Sequence, residues 1–184
     1  MSPPDPRLRD RTIALVGLMG VGKSSVGRRL AAALALPFRD ADTEVEAAAG
    51  RSIPDIFETF GEAGFRDGER RVIARLLDEG PMVLATGGGA FMNEATRALL
   101  AAKATTVWLK ADIEILARRV ARKDNRPLVR GKDPLEVLRQ LAAVRYPVYA
   151  QADLTVELGE TPHVDSVAAI LQALTGRLAS QGAA

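Results

Sequence analysis

The sequence contains no cysteine and only one histidine among its 184 residues. The lack of cysteine excludes a disulfide framework, a thiolate zinc site and a cysteine nucleophile. A single histidine also excludes a multi-histidine metal site. No run of 18 apolar residues occurs, so no membrane-spanning helix is predicted. The first ten residues lack the apolar stretch of a signal peptide, and we therefore expect a cytoplasmic protein.

Charge of one sign is also not in excess, because 25 lysines and arginines face 23 aspartates and glutamates. The resulting net charge of +2 does not indicate a general nucleic-acid-binding protein. Hydrophobic residues make up 47% of the chain, which is enough for a buried core and excludes global disorder. The length fits a single compact domain.

Short apolar segments alternate with helical patterns five times along the chain. The segments predicted as strands are 12–16, 38–41, 82–86, 105–109 and 153–156. This alternation predicts an α/β fold, with a parallel sheet covered by helices on both faces. We expect residues 1–11 to form a flexible tail, because three prolines and five charges do not pack well, and residues 12–184 to form one domain.

Two helical regions carry more specific expectations. Residues 42–79 read as mostly helical, with interruptions at four glycines: Gly50, Gly61, Gly64 and Gly68. Ser52 followed by Asp55 is a pattern that begins a helix. Asp133 begins another helix, which we expect to end at about Arg145, before Pro147.

Residues 17–24, GLMGVGKS, match the pattern G-x-x-x-x-G-K-[ST] at every fixed position. An apolar strand precedes the pattern and an amphipathic helix follows it, as a phosphate-binding loop requires. Backbone N–H groups and the helix N-terminus bind phosphate oxygens in such a loop, and Lys23 is expected to reach the β- and γ-phosphates. We expect Ser24 to ligate Mg²⁺. The residues predicted to bind ATP here are Gly20, Val21, Gly22, Lys23, Ser24 and Ser25.

Asp40 and Asp42 lie two positions apart at the end of the predicted second strand, so both carboxylates should face the same side. The carboxyl end of this strand should lie near the phosphate loop. One acid can hold a metal-bound water, and the other can orient or deprotonate an acceptor hydroxyl. A solvated strand end followed by a helix cap explains the pair equally well, so these two residues alone leave both interpretations open.

A set of short motifs follows the phosphate loop in a fixed order, and together they resemble shikimate kinase. The motifs are Asp40-x-Asp42, Gly50-Arg51-Ser52-Ile53, Ile56-Phe57, Gly61-Glu62, Phe65-Arg66, Glu69, Gly87-Gly88-Gly89 and Arg126-Pro127-Leu128. The resemblance extends from about Ile13 to Tyr149. It implies transfer of the ATP γ-phosphate to the 3-hydroxyl of shikimate, in chorismate and aromatic amino acid biosynthesis. It also implies a fold like that of nucleoside monophosphate kinases, with a five-stranded parallel sheet, a substrate-binding segment at about 42–80 and a lid at about 118–133.

The resemblance assigns roles to individual residues. Asp42 is implied as the acid that binds the substrate hydroxyls and the candidate base, and Asp40 as support for Mg²⁺ through water. Arg66 and Arg145 match the arginines that hold the shikimate carboxylate, a contact suited to planar guanidinium groups. The implied roles of the remaining residues are contact with the substrate by Gly87, Gly88 and Gly89, packing on adenine by Arg119, and approach to the transferring phosphate by Arg126. Lys23, Asp42 and Arg126 form the implied catalytic set.

Other interpretations of these residues exist. Arg66 could form only a surface ion pair with Glu69, and Arg145 could be an ordinary cation at a helix C-terminus. The stretch 118–132 has seven basic residues and one acid, but it lacks the aromatic residues that stack on single-stranded nucleic acid. We expect a monomer that acts on shikimate and ATP and binds neither nucleic acid nor membrane. The alternatives are a gluconate or nucleoside kinase and a regulatory nucleotide switch.

Overall fold

The computed structural model describes residues 4–122, 131–160 and 163–182. Five strands form one parallel sheet in the order β2-β3-β1-β4-β5. The strands are β1 (Thr12–Val16), β2 (Phe38–Asp40), β3 (Val83–Ala85), β4 (Ala104–Ala111) and β5 (Leu154–Leu158). The prediction of a five-stranded parallel sheet is confirmed, and each strand edge lies within three residues of its predicted position.

Seven α-helices connect and cover the strands in the described ranges. They are α1 (Lys23–Leu34), α2 (Ala41–Ala49), α3 (Ile53–Asp78), α4 (Glu94–Lys103), α5 (Ile113–Ala121), α6 (Pro134–Tyr149) and α7 (His163–Gln181). Helix α1 packs on β3 and on α7, whereas α4 packs on β4 and α5 packs on α6. Right-handed crossovers in opposite directions along the sheet place α1 and α4 on opposite faces. No helix in these ranges is both long and apolar enough to cross a membrane.

The core lies between the sheet and its two helical layers. All five residues of β1 are buried, as expected for a central parallel strand covered on both faces. The chain turns outward in opposite directions after β1 and β3, which are neighbours in the sheet. This reversal opens a crevice at the carboxyl ends of the central strands, where ligands of α/β proteins usually bind.

Helix α3 is longer and less interrupted than its glycines suggest. Gly50 ends α2 and Gly61 makes a kink inside α3, with φ 68° and ψ −178°. Gly64 and Gly68, in contrast, have helical backbone, so the predicted interruptions there are wrong. A Cβ on Gly64 would lie 2.6 Å from the Phe60 Cβ, so the close approach of the chain at the kink, rather than a break, explains this glycine.

Helix α6 passes through Pro147 and ends at Tyr149, so the predicted end at Arg145 is wrong. A proline removes one hydrogen bond to the carbonyl four residues earlier. In the last turn this loss is offset by the burial of Tyr149 and by the Ala150 N–H, which donates to the Tyr146 carbonyl at 2.9 Å. The extra turn places Tyr149 in the core.

The N-terminal segment is partly packed. Pro6–Arg9 forms a 3-10 turn capped by the Asp5 side chain, and Leu8 is only 6% exposed. The expectation that residues 1–11 do not pack is therefore wrong at Leu8. A local composition of prolines and charges did not reveal that one apolar side chain could reach the core cluster.

Candidate functional site

The phosphate loop joins β1 to α1 and has the backbone that its glycines allow. Gly20 and Gly22 have φ angles of 82° and 94°, which side chains other than glycine rarely adopt. The Lys23 ammonium donates to the carbonyls of Gly17 at 2.7 Å and Leu18 at 3.0 Å. The cation therefore lies over the loop, beside the N-terminus of α1, where both attract an anion.

Helix α5 closes one side of this loop. A Cβ on Gly20 would lie 2.9 Å from Val120 Cγ2, so α5 packs directly on the loop. Arg119 precedes this contact, is half-buried, and donates to the Gly159 carbonyl at 3.3 Å. Arg126 and half of the predicted lid, residues 123–130, lie outside the described residues.

Asp40 connects the phosphate loop to the second strand. The Ser24 hydroxyl donates to Asp40 Oδ2 at 2.5 Å, and Asp40 Oδ1 accepts from the Asp42 N–H at 3.1 Å. Asp40 is thus the N-cap of α2, as well as the direct partner of Ser24. Asp42, which precedes Thr43 and could have been the cap, lies instead in the first turn of α2, so the capping and metal interpretations of the acid pair both apply to Asp40.

The Asp42 carboxylate lies deeper, against the glycine run that follows β3. A Cβ on Gly87 would lie 2.7 Å from both Asp42 Oδ1 and Glu69 Oε1. Burial raises the pKa of Asp42, and the nearby Asp40 charge raises it further, while Lys23 and Arg66 oppose the shift. Asp42 is therefore a more basic carboxylate than an exposed aspartate.

Arg66 projects from α3 toward the same glycines. Its Nη1 donates to Glu69 Oε2 at 2.7 Å, and the Glu69 side chain is only 2% exposed. A Cβ on Gly89 would lie 2.2 Å from Arg66 Nη2, so the guanidinium fills the space that a side chain there would need. The ion pair proposed as an alternative role for Arg66 exists, but its acid is buried and not at a helix surface.

Arg145 approaches the run from α6. Its Nη1 donates to the Gly88 carbonyl at 2.9 Å, and the Tyr149 hydroxyl donates to the same carbonyl. A Cβ on Gly88 would lie 3.2 Å from Arg145 Nη1 and 3.9 Å from the Met19 backbone nitrogen. The glycine run therefore packs between α6 and the phosphate loop.

The structure brings most of the predicted site residues together at one edge of the sheet. Asp42, Arg66 and Arg145 converge on the glycine run, which lies beside the phosphate loop that carries Lys23 and Ser24. A partly buried carboxylate, two guanidinium groups and a cationic loop can hold an anionic hydroxylated molecule next to a phosphate chain.

Two residues of the site were not predicted to have a role in it. Glu69 belonged to a motif, and its spacing of three from Arg66 was a signal of contact, yet its burial was not foreseen. Tyr149 is four residues after Arg145, on the same face of α6, but the predicted helix ended before it. Both contact residues that were predicted to belong to the site: Glu69 accepts from Arg66, and Tyr149 donates to Gly88.

Comparison with known proteins gives a consistent result. The family model "Shikimate kinase" matches residues 19–175. A shikimate kinase of Caulobacter vibrioides is 73% identical over 167 residues, which cover 91% of this chain and 84% of the relative. A shikimate kinase of Bradyrhizobium diazoefficiens is 58% identical over 174 residues, which cover 95% of this chain and 84% of the relative.

Solved structures extend the likeness to three dimensions. A shikimate kinase from Acinetobacter baumannii in complex with shikimate has a TM-score of 0.87 and 38% identity, covering 94% of this chain and 98% of that one. A gluconokinase from Sinorhizobium meliloti has a TM-score of 0.63 at 23% identity, and the match covers 94% of this chain and 95% of the gluconokinase chain. The second likeness concerns the fold alone.

Proposed function

The chain belongs to the shikimate kinase family, and we propose how its described residues transfer the γ-phosphate of ATP to the 3-hydroxyl of shikimate. The observation that carries this proposal is the convergence of Asp42, Arg66 and Arg145 on one glycine run beside the phosphate loop. The carboxylate and hydroxyls of shikimate need cationic and anionic partners at separate points, and this cluster supplies both.

The phosphate loop binds ATP through its backbone N–H groups and the N-terminus of α1. Lys23 leaves its two carbonyl partners and turns toward the β- and γ-phosphates, since a phosphate attracts an ammonium more strongly than a neutral carbonyl does. Arg119, next to the α5 residue that contacts Gly20, covers the nucleotide side of the loop. Arg126 completes the proposed catalytic set from outside the described residues.

Arg66 and Arg145 bind the acceptor carboxylate from two sides. Each guanidinium presents several N–H donors in a plane, and each uses one side in the contacts described above, Arg66 with Glu69 and Arg145 with Gly88. The absence of side chains at Gly87, Gly88 and Gly89 lets the substrate ring approach the backbone.

Asp42 then orients the attacking hydroxyl and accepts its proton. The hydroxyl oxygen forms a bond to the γ-phosphorus, the bond from the γ-phosphorus to the β,γ-bridging oxygen breaks, and ADP leaves with that electron pair. Burial and the neighbouring Asp40 make Asp42 a stronger base, which favours proton transfer as the oxygen attacks.

The residues at the mouth of the loop fit a magnesium ion. The Ser24 hydroxyl and the Asp40 carboxylate are hard oxygen donors 2.5 Å apart, the ligand type that Mg²⁺ prefers. We assign Ser24 as a direct ligand and Asp40 as a ligand through water. When bound, Mg²⁺ neutralises charge on the phosphate oxygens. We also propose the cytoplasm as the compartment and a monomer as the assembly.

An assay of ADP release tests this function. The assay contains Mg-ATP and one added acceptor at a time: shikimate, quinate, gluconate or a nucleoside monophosphate. We expect acceleration by shikimate. Acceleration by gluconate or the nucleotide alone would instead support the other small-molecule kinases. Nucleotide binding without acceleration by any acceptor would support a regulatory switch and contradict the proposed roles of Asp42, Arg66 and Arg145.

A further inference from the structure

Tyr149 is the largest side chain that is fully buried in the described core, and its hydroxyl is directed at the backbone of the glycine run. The residue is 0% exposed, and its ring packs against Trp108 and Phe91, with centroid distances of 5.9 Å and 6.4 Å. Its hydroxyl donates to the Gly88 carbonyl, which lies 61 residues earlier in the sequence. Burial raises the pKa of Tyr149, so the hydroxyl keeps its proton and remains a donor at neutral pH.

The carbonyl held by Tyr149 belongs to the peptide that joins Gly88 to Gly89. The peptide is trans and planar, so its N–H, which belongs to Gly89, points away from Tyr149. No described residue accepts a hydrogen bond from the N–H of Gly88 or Gly89. Fixing the carbonyl therefore fixes the direction of a free N–H donor in the proposed acceptor site.

Three consecutive glycines need such an anchor. A Cβ on Gly87 or Gly89 would overlap Asp42, Glu69 or Arg66, and one on Gly88 would crowd Arg145 at 3.2 Å, so replacing a glycine to stiffen the run would displace the site's own side chains. Glycine has the largest backbone freedom, and an unrestrained run would sample many directions of its N–H groups. The contacts that hold the Gly88 carbonyl come from Arg145 and Tyr149.

These two donors differ in what substrate binding does to them. In the proposed function Arg145 turns part of its guanidinium to the acceptor carboxylate. Tyr149 is buried and does not contact the substrate, so its hydrogen bond to Gly88 is kept when substrate binds. We propose that Tyr149 is a positioning residue for the acceptor, which holds the Gly88–Gly89 peptide in its binding orientation while Arg145 engages the substrate. This inference rests on the proposed roles of the glycine run and Arg145.

The test compares Tyr149→Phe with Tyr146→Phe. Tyr146 lies on the same helix and packs edge-on against Trp108 at 5.0 Å, and no described residue forms a hydrogen bond with its hydroxyl. Loss of one hydrogen bond corresponds to a fivefold to tenfold effect, roughly. We expect Tyr149→Phe to raise the KM for shikimate by about that factor, with the KM for ATP and kcat within about twofold of wild type. Tyr146→Phe should leave all three constants unchanged.

The outcomes separate this inference from the function itself. An unchanged KM for shikimate in Tyr149→Phe, beside an active wild type, overturns the role of Tyr149 and leaves the kinase reaction intact. An equal rise in the KM for shikimate and the KM for ATP would show that the tyrosine has only a structural role, and would also overturn the proposal. The same holds if kcat and the melting temperature fall together. A wild type without shikimate-dependent ADP release contradicts the proposed function instead.

A second measurement leaves the hydroxyl in place, in case Tyr149→Phe does not fold. The chain has two tyrosines, so Tyr149 is the sole tyrosine of the Tyr146→Phe protein. 3-Fluorotyrosine incorporated there gives one ¹⁹F signal. Because Arg145 shares the Gly88 carbonyl with Tyr149 and turns toward the acceptor carboxylate, we expect shikimate to shift this signal and Mg-ADP alone to leave it in place. A signal that does not respond to saturating shikimate would overturn the proposal.

Discussion

Arg66 and the buried Glu69 form an ion pair in which the guanidinium donates to Oε2 at 2.7 Å while Oε1 has no hydrogen-bond partner among the described residues. A buried carboxylate with one unsatisfied oxygen is costly, and it is retained here next to Asp42 and the glycine run. The arrangement holds Arg66 at the acceptor side of the site.

The pH dependence of stability should report the burial of Glu69. Burial raises the pKa of Glu69 above its ordinary value of 4.5, with Arg66 opposing the shift. The folded state therefore binds this proton more tightly than the unfolded state. Its contribution to stability is complete below pH 4.5 and is lost as the pH rises through the raised pKa.

Glu69→Gln removes this titration. We expect the free energy of unfolding of wild type, relative to Glu69→Gln, to fall as the pH rises above 4.5, measured by urea denaturation. Glu62→Gln is the matched control, because Glu62 also pairs with Arg66 but its side chain is 73% exposed. A difference between wild type and Glu69→Gln that rises with pH would show that the pKa of Glu69 is lowered instead.

A methyl group at Gly89 should disturb the acceptor site and not the nucleotide site. Gly89→Ala places a Cβ where Arg66 Nη2 lies, at 2.2 Å, so the guanidinium must move. We expect the KM for shikimate to rise about tenfold or more, because Arg66 loses contact with the shikimate carboxylate, and the KM for ATP to change little.

Gly68→Ala is the control for that substitution. Gly68 lies within α3, and a Cβ there has nothing within 4 Å. The alanine should leave both KM values unchanged and stabilise the protein by about 0.5–1 kcal/mol, because alanine favours helix. Thermal melting checks the second expectation. Equal kinetics for Gly89→Ala and Gly68→Ala would contradict the crowding of Arg66 by residue 89.

Asp42→Asn should separate chemistry from nucleotide binding. The amide cannot accept the hydroxyl proton, so we expect kcat to fall by about 10²- to 10³-fold while the affinity for ADP, measured by calorimetry, stays the same. Asp67→Asn is the control, since Asp67 is exposed and pairs with Arg70 and Arg71 on the outer side of α3. Weaker ADP binding with unchanged kcat would place Asp42 in the nucleotide site.

Local signals in the sequence predicted the elements well. The apolar β1 segment, the glycines and lysine of the phosphate loop and the Ser52 cap each depend on neighbouring residues, and all are found in the structure. The resemblance also implied roles for Asp42, Arg66 and Arg145, and the fold brings these three residues to one glycine run.

Contacts between distant segments were not predictable in the same way. The burial of Leu8, the continuation of α6 through Pro147 and the hydrogen bond from Tyr149 to Gly88 all depend on tertiary packing. Local propensity disfavours each of them, because prolines, charges and a helix-interrupting residue lie nearby. Packing energy across the core outweighs these local preferences.

The most direct test of the acceptor site is the steady-state kinetics of Arg66→Ala beside Arg70→Ala. Both arginines lie on α3, but Arg70 pairs with exposed Asp67 and Arg66 faces the glycine run. Loss of a charged hydrogen-bonding partner predicts a KM for shikimate about 10- to 100-fold higher in Arg66→Ala, with the KM for ATP unchanged and Arg70→Ala like wild type. A change confined to the KM for ATP, or equal effects of the two substitutions, would contradict the assignment of Arg66 to the acceptor carboxylate.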